Sequence, residues 1–262
     1  NPMKPILNLA AWGWAMVRRS YGLLCALFAA QQLVILLLLA ARRSNVGGWY
    51  TWYYLHGMQA PLLVVAWLAA GVLSARMLWQ ANGRARAGYT LLTLPQSRGS
   101  LLAAQVLLCG GMQLGILAWQ LVLYALFRWP VMALANRVAA GALSQPIHPS
   151  SLYEQLFINP LFHLLLPARP VAAFWLWGWW LASAVVLPCI FVHRVAGRLI
   201  QGILSAVVLV LGGAQNLMEY YRWQGSLDPV RGQMLILPAL VLVLTGVSLA
   251  WALRALRRAE FV

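Results

Sequence analysis

Six stretches of roughly 20 apolar residues dominate this chain, and this pattern restricts its fold more than any other feature. An apolar helix of that length crosses the hydrocarbon core of a bilayer, which is about 30 Å thick. Charged residues make up only 9% of the chain, whereas soluble domains are about one quarter charged. We therefore predict an all-α integral membrane protein with a single transmembrane domain over residues 1–262. The predicted spans are 21–41, 61–79, 101–127, 171–192, 199–217 and 234–253.

A short helix in the membrane interface is predicted before the first span, with Arg18 and Arg19 closing its last turn. One face of this helix is apolar and consists of Ile6, Leu9, Ala10, Gly13, Met16 and Val17. The predicted topology places twelve of the nineteen cations on one side of the membrane and three of the four acids on the other. Because cations concentrate in cytoplasmic loops, both termini are predicted to be cytoplasmic.

The formal net charge of +15 raises the question of a nucleic-acid partner. In a chain this apolar, cations at helix ends are better explained by contacts with lipid headgroups, so membrane lipid is expected as a partner and nucleic acid is not. Three cysteines lie inside apolar runs without the spacing of metal ligands, and we interpret them as small buried hydrophobic residues: Cys25, Cys109 and Cys189.

Catalytic and cofactor-binding motifs are missing from the sequence. Lys4 is the only lysine and no Gly-Lys-Ser/Thr run occurs, so the chain has no P-loop for ATP. The four histidines form no zinc-binding His-Glu-x-x-His motif, and Ser248 lacks the following glycine and the later histidine of a serine hydrolase. We therefore expect no cofactor in this chain and no enzymatic activity of its own.

Two further features concern helix packing and the outer side of the membrane. Gly111 and Gly115 form a GxxxG motif in the third span, which lets another helix approach closely. Residues 128–170 form the longest connection, which five prolines break before Pro170, and a capping box at Ser151 and Glu154 opens a short helix there. We expect surface-lying or re-entrant helices there, outside the cell.

Polar residues inside the spans have two interpretations, a partly hydrated path for a substrate or hydrogen bonds between helices, of which the second is favoured for any single residue. These residues are Gln31, Gln32, Gln105, Gln113, Gln120, Gln201, Gln215 and Asn216. Glu219 lies near the end of a span and is the one acid that a proton- or sodium-coupled carrier could use.

The predicted cytoplasmic loop between the second and third spans contains a short apolar helix that begins after Gly88 and is ended by Pro95. Such a helix could lie on the membrane. It could also insert its apolar side chains into a groove on a soluble partner, while Arg86 and Arg98 meet acidic groups there. The second use would let an external ATPase act on the spans.

The run from Tyr89 to Arg98, between spans two and three of six, resembles the coupling-helix segment of type 2 ABC exporter permeases. The resemblance implies that the chain pairs with a second permease subunit and with two cytosolic ATPase subunits that bind ATP and Mg²⁺. The residues that would contact the ATPase are Arg86, Tyr89, Leu91, Leu92, Leu94, Pro95 and Arg98.

The chain departs from this family in placing its long external excursion between spans three and four, where many members have one between spans five and six. Two alternatives also stay open. One is a membrane scaffold or immunity-type protein that binds a partner without transport. The other is a secondary carrier whose flux depends on Glu219.

Overall fold

A computed structural model of the protein describes residues 3–41, 62–76, 78, 97–139, 170–193, 195–223 and 236–257. These residues form six α-helices and no strand. The helices are α1 (Met3–Ala41), α2 (Leu62–Ser74), α3 (Arg98–Ala139), α4 (Pro170–Ile190), α5 (Val195–Trp223) and α6 (Ile236–Arg257). The predicted all-α class is confirmed for this part of the chain.

Four helices are long and apolar enough to cross a membrane, through the segments Gly99–Phe127, Ala173–Ile190, Gly197–Gln215 and Leu237–Arg257. They correspond to the third to sixth predicted spans. The first predicted span, 21–41, is helical within α1, and the second, 61–79, is helical over Leu62–Ser74. Neither of these two is among the four.

The chain divides into two compact units. Unit 1 comprises Asn1–Tyr21, Ala69–Gln113 and Ala168–Val262, and unit 2 comprises Gly22–Leu68 and Leu114–Pro167. The first three helices therefore contribute residues to both units, whereas α4, α5 and α6 belong to unit 1.

In unit 1, α4, α5 and α6 pack against one another in all three pairings. β-branched and small side chains form their shared core: Ala182, Val186, Val208 and Val241 are buried, with Leu211 and Leu244 packed against them. α5 begins at Val195, four residues before the predicted span, so Arg198 lies inside the helix. Arg198 donates from Nε to the His193 carbonyl oxygen at 2.8 Å and so fixes this turn.

The interfacial helix predicted before the first span is not separate, because α1 runs without a break from Met3 to Ala41. Pro5 lies in the first turn, where proline costs no hydrogen bond. Alanine, leucine and arginine are strong helix formers, and they outweigh isolated glycines such as Gly22. The pair Arg18-Arg19 therefore continues the helix instead of ending it.

The predicted apolar face of this segment is correct, but it packs on protein. Ile6, Leu9, Ala10, Gly13, Met16 and Val17 are all buried or half-buried. Leu9 belongs to the same buried cluster as Leu101 and Leu102, at the start of α3, and Tyr21, further along α1, donates its hydroxyl to the Met112 carbonyl oxygen at 2.9 Å. The two helices thus pack against each other in unit 1.

Unit 2 contains a second contact between α1 and α3. The Trp119 indole Nε1 donates to the Cys25 carbonyl oxygen at 3.0 Å, and the Gln32 amide donates from Nε2 to Gln120 Oε1 at 2.5 Å. Phe28 and Ile35, on the same face of α1 as Gln32, are buried. Interhelical hydrogen bonds are therefore embedded in an apolar contact.

Two helices extend beyond their predicted spans. α3 continues past Arg128 and through Pro130 to Ala139, since the residues after the proline include several good helix formers. α5 continues to Trp223, beyond the end of the predicted span 199–217, so the backbone at Glu219 is helical. The capping box at 151–154 and the predicted re-entrant helices lie outside the described residues.

Candidate functional site

The predicted coupling segment lies almost entirely outside the described residues. This holds for Arg86, Tyr89, Leu91, Leu92, Leu94 and Pro95, and Arg98 is described only as the first residue of α3. The point where the segment meets α3 is described in detail. Ser97 caps the helix: its Oγ accepts from the Ser100 amide at 3.2 Å, and its carbonyl oxygen accepts from the same amide at 3.0 Å.

A buried core joins the helix ends on both sides of this segment. We call it the helix-end core, and its members are Leu9, Leu78, Leu101, Leu102, Ala104, Cys189, Val192, Ala252, Ala255 and Leu256. Leu78 precedes the segment and is 1% exposed, and Leu102 follows it and is 2% exposed. The core therefore connects the two flanks of the segment with α1, α4 and α6.

Glutamines make hydrogen bonds between helices in both units. In unit 1, Ser183 Oγ donates to Gln113 Oε1 at 3.1 Å, and the Gln201 amide donates to Ser248 Oγ. In unit 2, the Gln32 amide donates to Gln120. These contacts are the interhelical bonds that the polar residues predict, and Gln105 is also fully buried.

In three of these glutamines, only one of the two polar atoms of the side-chain amide forms a hydrogen bond. Within the residues that the structure describes, Gln113 Nε2, Gln120 Nε2 and Gln201 Oε1 are buried and have no hydrogen-bond partner. An unpaired polar atom in a low-dielectric interior costs free energy. A new hydrogen bond to any of these atoms would recover that free energy: the two Nε2 atoms could donate one, and the Oε1 atom could accept one.

The other predicted polar residues differ in position. Gln31 is exposed, next to buried Gln32 on α1. Gln215 is 6% exposed and lines a narrow apolar cleft of unit 1 together with Phe174, Trp175, Gly178, Trp179, Gly212, Pro238, Val241 and Leu242. Asn216 and Glu219 lie on the helical backbone of α5, and their side chains lie outside the described residues.

No described helix of this chain approaches closely at Gly111 of the GxxxG motif, where an added Cβ would meet nothing within 4 Å. The approach occurs one residue earlier, because α4 packs on the face of α3 that carries Gly110 and Gln113. A Cβ at Gly110 would lie 3.1 Å from the Trp180 ring and 3.5 Å from Ala184 Cβ.

A second close approach between helices occurs at Gly71 of α2, where the sequence shows no packing motif. A Cβ there would collide with Leu187 and lie 3.1 Å from Gln113 Nε2 and 3.6 Å from Cys109 Sγ. The Gly71 carbonyl oxygen accepts from Ser74 Oγ at 2.6 Å and from the Cys109 thiol at 3.9 Å. α2, α3 and α4 therefore meet at one small, partly polar contact in unit 1.

Sequence reasoning missed several partners. Ser183, Ser205 and Ser248 are buried, and Ser205 Oγ donates to the Val186 carbonyl oxygen at 3.2 Å. Small polar residues inside spans were the available signal, since serine bonds across helices in membranes. His193, 3% exposed, packs its ring against Trp251 with a centroid distance of 4.4 Å. None of the three cysteines forms a disulfide; Cys109 and Cys189 are buried, as predicted, and Cys25 is half-buried.

The bond between Gln201 and Ser248 gives a testable prediction for the α5–α6 contact. A double-mutant cycle with Gln201→Ala and Ser248→Ala should give a coupling free energy of about 0.6 kcal/mol, and at most about 1.7 kcal/mol. The measurement is unfolding by sodium dodecyl sulfate in mixed micelles. A cycle that pairs Gln201→Ala with Thr245→Ala should give no coupling, because Thr245 bonds within α6. Equal coupling in both cycles would contradict the pairing.

Comparison with family models, with characterised proteins and with solved structures finds no match to this chain. The residues and contacts described above are therefore the basis for assigning a function.

Proposed function

We propose that this chain is the membrane-spanning permease subunit of an ATP-driven ABC exporter in the bacterial cytoplasmic membrane. It would form the substrate path with a second permease subunit and respond to separate cytosolic ATPase subunits. The observation that carries the proposal is the helix-end core, which joins Leu78, before the segment, to the start of α3, after it, and to α1, α4 and α6.

A coupling segment can move the spans only if it is connected to them by rigidly packed residues. Close-packed interiors have low compressibility and transmit strain. Leu78 and Leu102 flank the segment inside one buried cluster with Cys189 of α4 and Leu256 of α6. Since Leu9 of α1 is in the same cluster, a push on the segment would reach α1, α3, α4 and α6 together, which supports rigid-body movement as the response.

The glutamines whose amide group has one atom without a hydrogen-bond partner support a substrate path. A path that opens and closes needs polar atoms that can exchange one partner for another as helices move. Gln113 and Gln201 each keep one buried amide atom without a partner, next to a serine that holds the other end. Under this proposal, the free atoms would bind polar groups of the substrate in turn.

The proposal is tested by expressing the chain with the P-loop protein of a neighbouring gene and purifying the complex. We expect the ATPase to co-purify with the tagged chain and to hydrolyse ATP faster in the complex. The variant Leu91→Ala/Leu92→Ala/Leu94→Ala should lose the ATPase, because it removes the apolar side chains that would fill the ATPase groove. The matched control is Leu199→Ala/Ile203→Ala/Leu242→Ala, which alters exposed apolar residues on α5 and α6.

The alternatives predict different outcomes. A scaffold or immunity-type protein would bind its partner without any effect of ATP. A secondary carrier would show flux that follows a proton or sodium gradient and is lost in Glu219→Gln. Absence of any associated ATPase, with transport unchanged in the triple alanine variant, would overturn the proposal.

A further inference from the structure

The second helix is interrupted by a turn. The helix Leu62–Ser74 is followed by a turn at Ala75, and Arg76 is again helical. In a continuous α-helix, the Ala75 amide would donate to the Gly71 carbonyl oxygen, four residues earlier. It donates instead to the Val72 carbonyl oxygen, three residues earlier, at 3.2 Å. A short 3₁₀ turn inside a helix often marks a hinge.

Side chains from two helices stabilise this turn. The Ser74 hydroxyl donates to the Gly71 carbonyl oxygen at 2.6 Å, and the Cys109 thiol of α3 donates to the same oxygen at 3.9 Å. Ser74 is fully buried, so water does not compete for its hydroxyl. Glycine–serine pairs are a known cause of helix kinks, and a serine that bonds back to its own helix bends it. The interruption is therefore specified by these side chains and is not simple fraying of a helix end.

The residues after the turn are fixed to the rest of unit 1. The Arg76 guanidinium donates to Ser20 Oγ of α1 at 3.1 Å, and Leu78 lies in the helix-end core. No described residue of Leu62–Ser74 belongs to that core. The turn therefore separates a part of the chain that is packed into the helix-end core from a helix that is not.

We propose that the turn at Ala75 is a hinge, about which α2 changes direction relative to the helix-end core. In the described state, the Ser74 hydroxyl satisfies the Gly71 carbonyl oxygen. In the second state, the Ala75 amide returns to that oxygen, the helix is continuous and the hydroxyl is released. Neither state leaves the carbonyl oxygen without a donor. Gly71 is the pivot, because it packs on Leu187 of α4 with no room for a side chain.

The hinge goes beyond the proposed function and does not depend on it. Every contact that supports the hinge lies within unit 1 of the chain alone. It requires neither an ATPase subunit nor transport, so its test uses the isolated chain.

The test measures distances within the purified full-length chain in lipid nanodiscs, by double electron–electron resonance between two nitroxide labels. One label replaces Val65, which is 64% exposed on α2 before the turn, and the other replaces Leu199, which is 70% exposed on α5. This pair should give two distance populations, one for each state of the hinge. Labels at Leu107 of α3 and at Leu199 should give a single narrow population.

Two variants should shift the populations in opposite directions. Ser74→Ala removes the hydroxyl that takes the place of the Ala75 amide, so the ratio should move about fivefold toward the continuous helix, the effect of one hydrogen bond. Ala75→Pro removes the amide and should leave only the interrupted state. The matched control is Thr245→Ala, which removes a hydroxyl bonded to the Val241 carbonyl oxygen of its own helix, α6, at 2.7 Å. It should leave the ratio unchanged.

Three results would overturn the hinge. One is a single narrow population for the labels at Val65 and Leu199 in the otherwise unaltered chain. Another is the same ratio in Ser74→Ala as in the chain without this change. The third is a shift in Thr245→Ala as large as that in Ser74→Ala. If Ala75→Pro does not fold, Ser74→Ala still decides the result.

Discussion

Gly212→Leu is expected to lower the free energy of unfolding by about 3 kcal/mol or more, because α5 and α4 have no room for a side chain at this position. A Cβ at Gly212 would collide with the Trp179 ring and lie 2.6 Å from its Nε1 atom, closer than real Cβ contacts. The indole is rigid and cannot bend away, so either the ring must leave its place or the helices must separate.

The matched control for this prediction lies on the same helix. Gly202 has nothing within 4 Å of an added Cβ, so Gly202→Leu should change the free energy of unfolding by less than about 1 kcal/mol, with a gain from helix propensity. Unfolding by sodium dodecyl sulfate in mixed micelles, followed by circular dichroism, measures both variants. Equal stability of the two variants would show that α4 and α5 do not approach each other at Gly212.

Leu102→Ala is expected to destabilise the protein by about 2 to 5 kcal/mol, since it removes a buried side chain from the helix-end core and leaves a cavity. Leu102 is 2% exposed and lies one turn after the Ser97 cap. Leu107, five residues further on α3, is 50% exposed. Leu107→Ala should therefore cost less than about 0.5 kcal/mol in the same unfolding measurement.

This pair of variants also tests the connection between the helix-end core and the loop. If the core holds the flanks of the segment, Leu102→Ala should increase hydrogen exchange at the Ser100 and Leu101 amides, while Leu107→Ala should not. Equal destabilisation by both variants would contradict a core at this end of α3.

The helices of the second half of the chain could be predicted closely because apolar length alone determines them. The spans predicted at 171–192, 199–217 and 234–253 match α4, α5 and α6, although α5 extends to Trp223. Length in lipid is a strong constraint, since every backbone polar group must be satisfied within the helix. The structure describes a shorter helix, Leu62–Ser74, for the second predicted span.

The beginning of α1 could not be predicted from local signals. Arg18-Arg19 suggests a helix end by charge, yet arginine also continues a helix well, and packing against α3 decides between the two. The contact of Tyr21 with Met112 joins residues far apart in sequence, which no local pattern reveals.

The glutamines were recognisable as a group, but their partners were not. Gln113 and Gln201 pair with Ser183 and Ser248, residues that could equally face lipid when judged from sequence alone. The same holds for the glycines of α3: the face that meets α4 carries Gly110, and only the packing of the two helices distinguishes it from Gly111 of the GxxxG motif.

The proposed function depends on the segment between Leu78 and Ser97 contacting an ATPase, and site-specific photocross-linking in native membranes tests this contact most directly. A photoreactive amino acid at Leu92 should cross-link to a P-loop protein in a yield that changes when ATP and Mg²⁺ are added. The same group at Leu199, which is 70% exposed on α5, should give lipid adducts only. Cross-linking at Leu92 to lipid alone, or to a protein without a P-loop, would contradict the account.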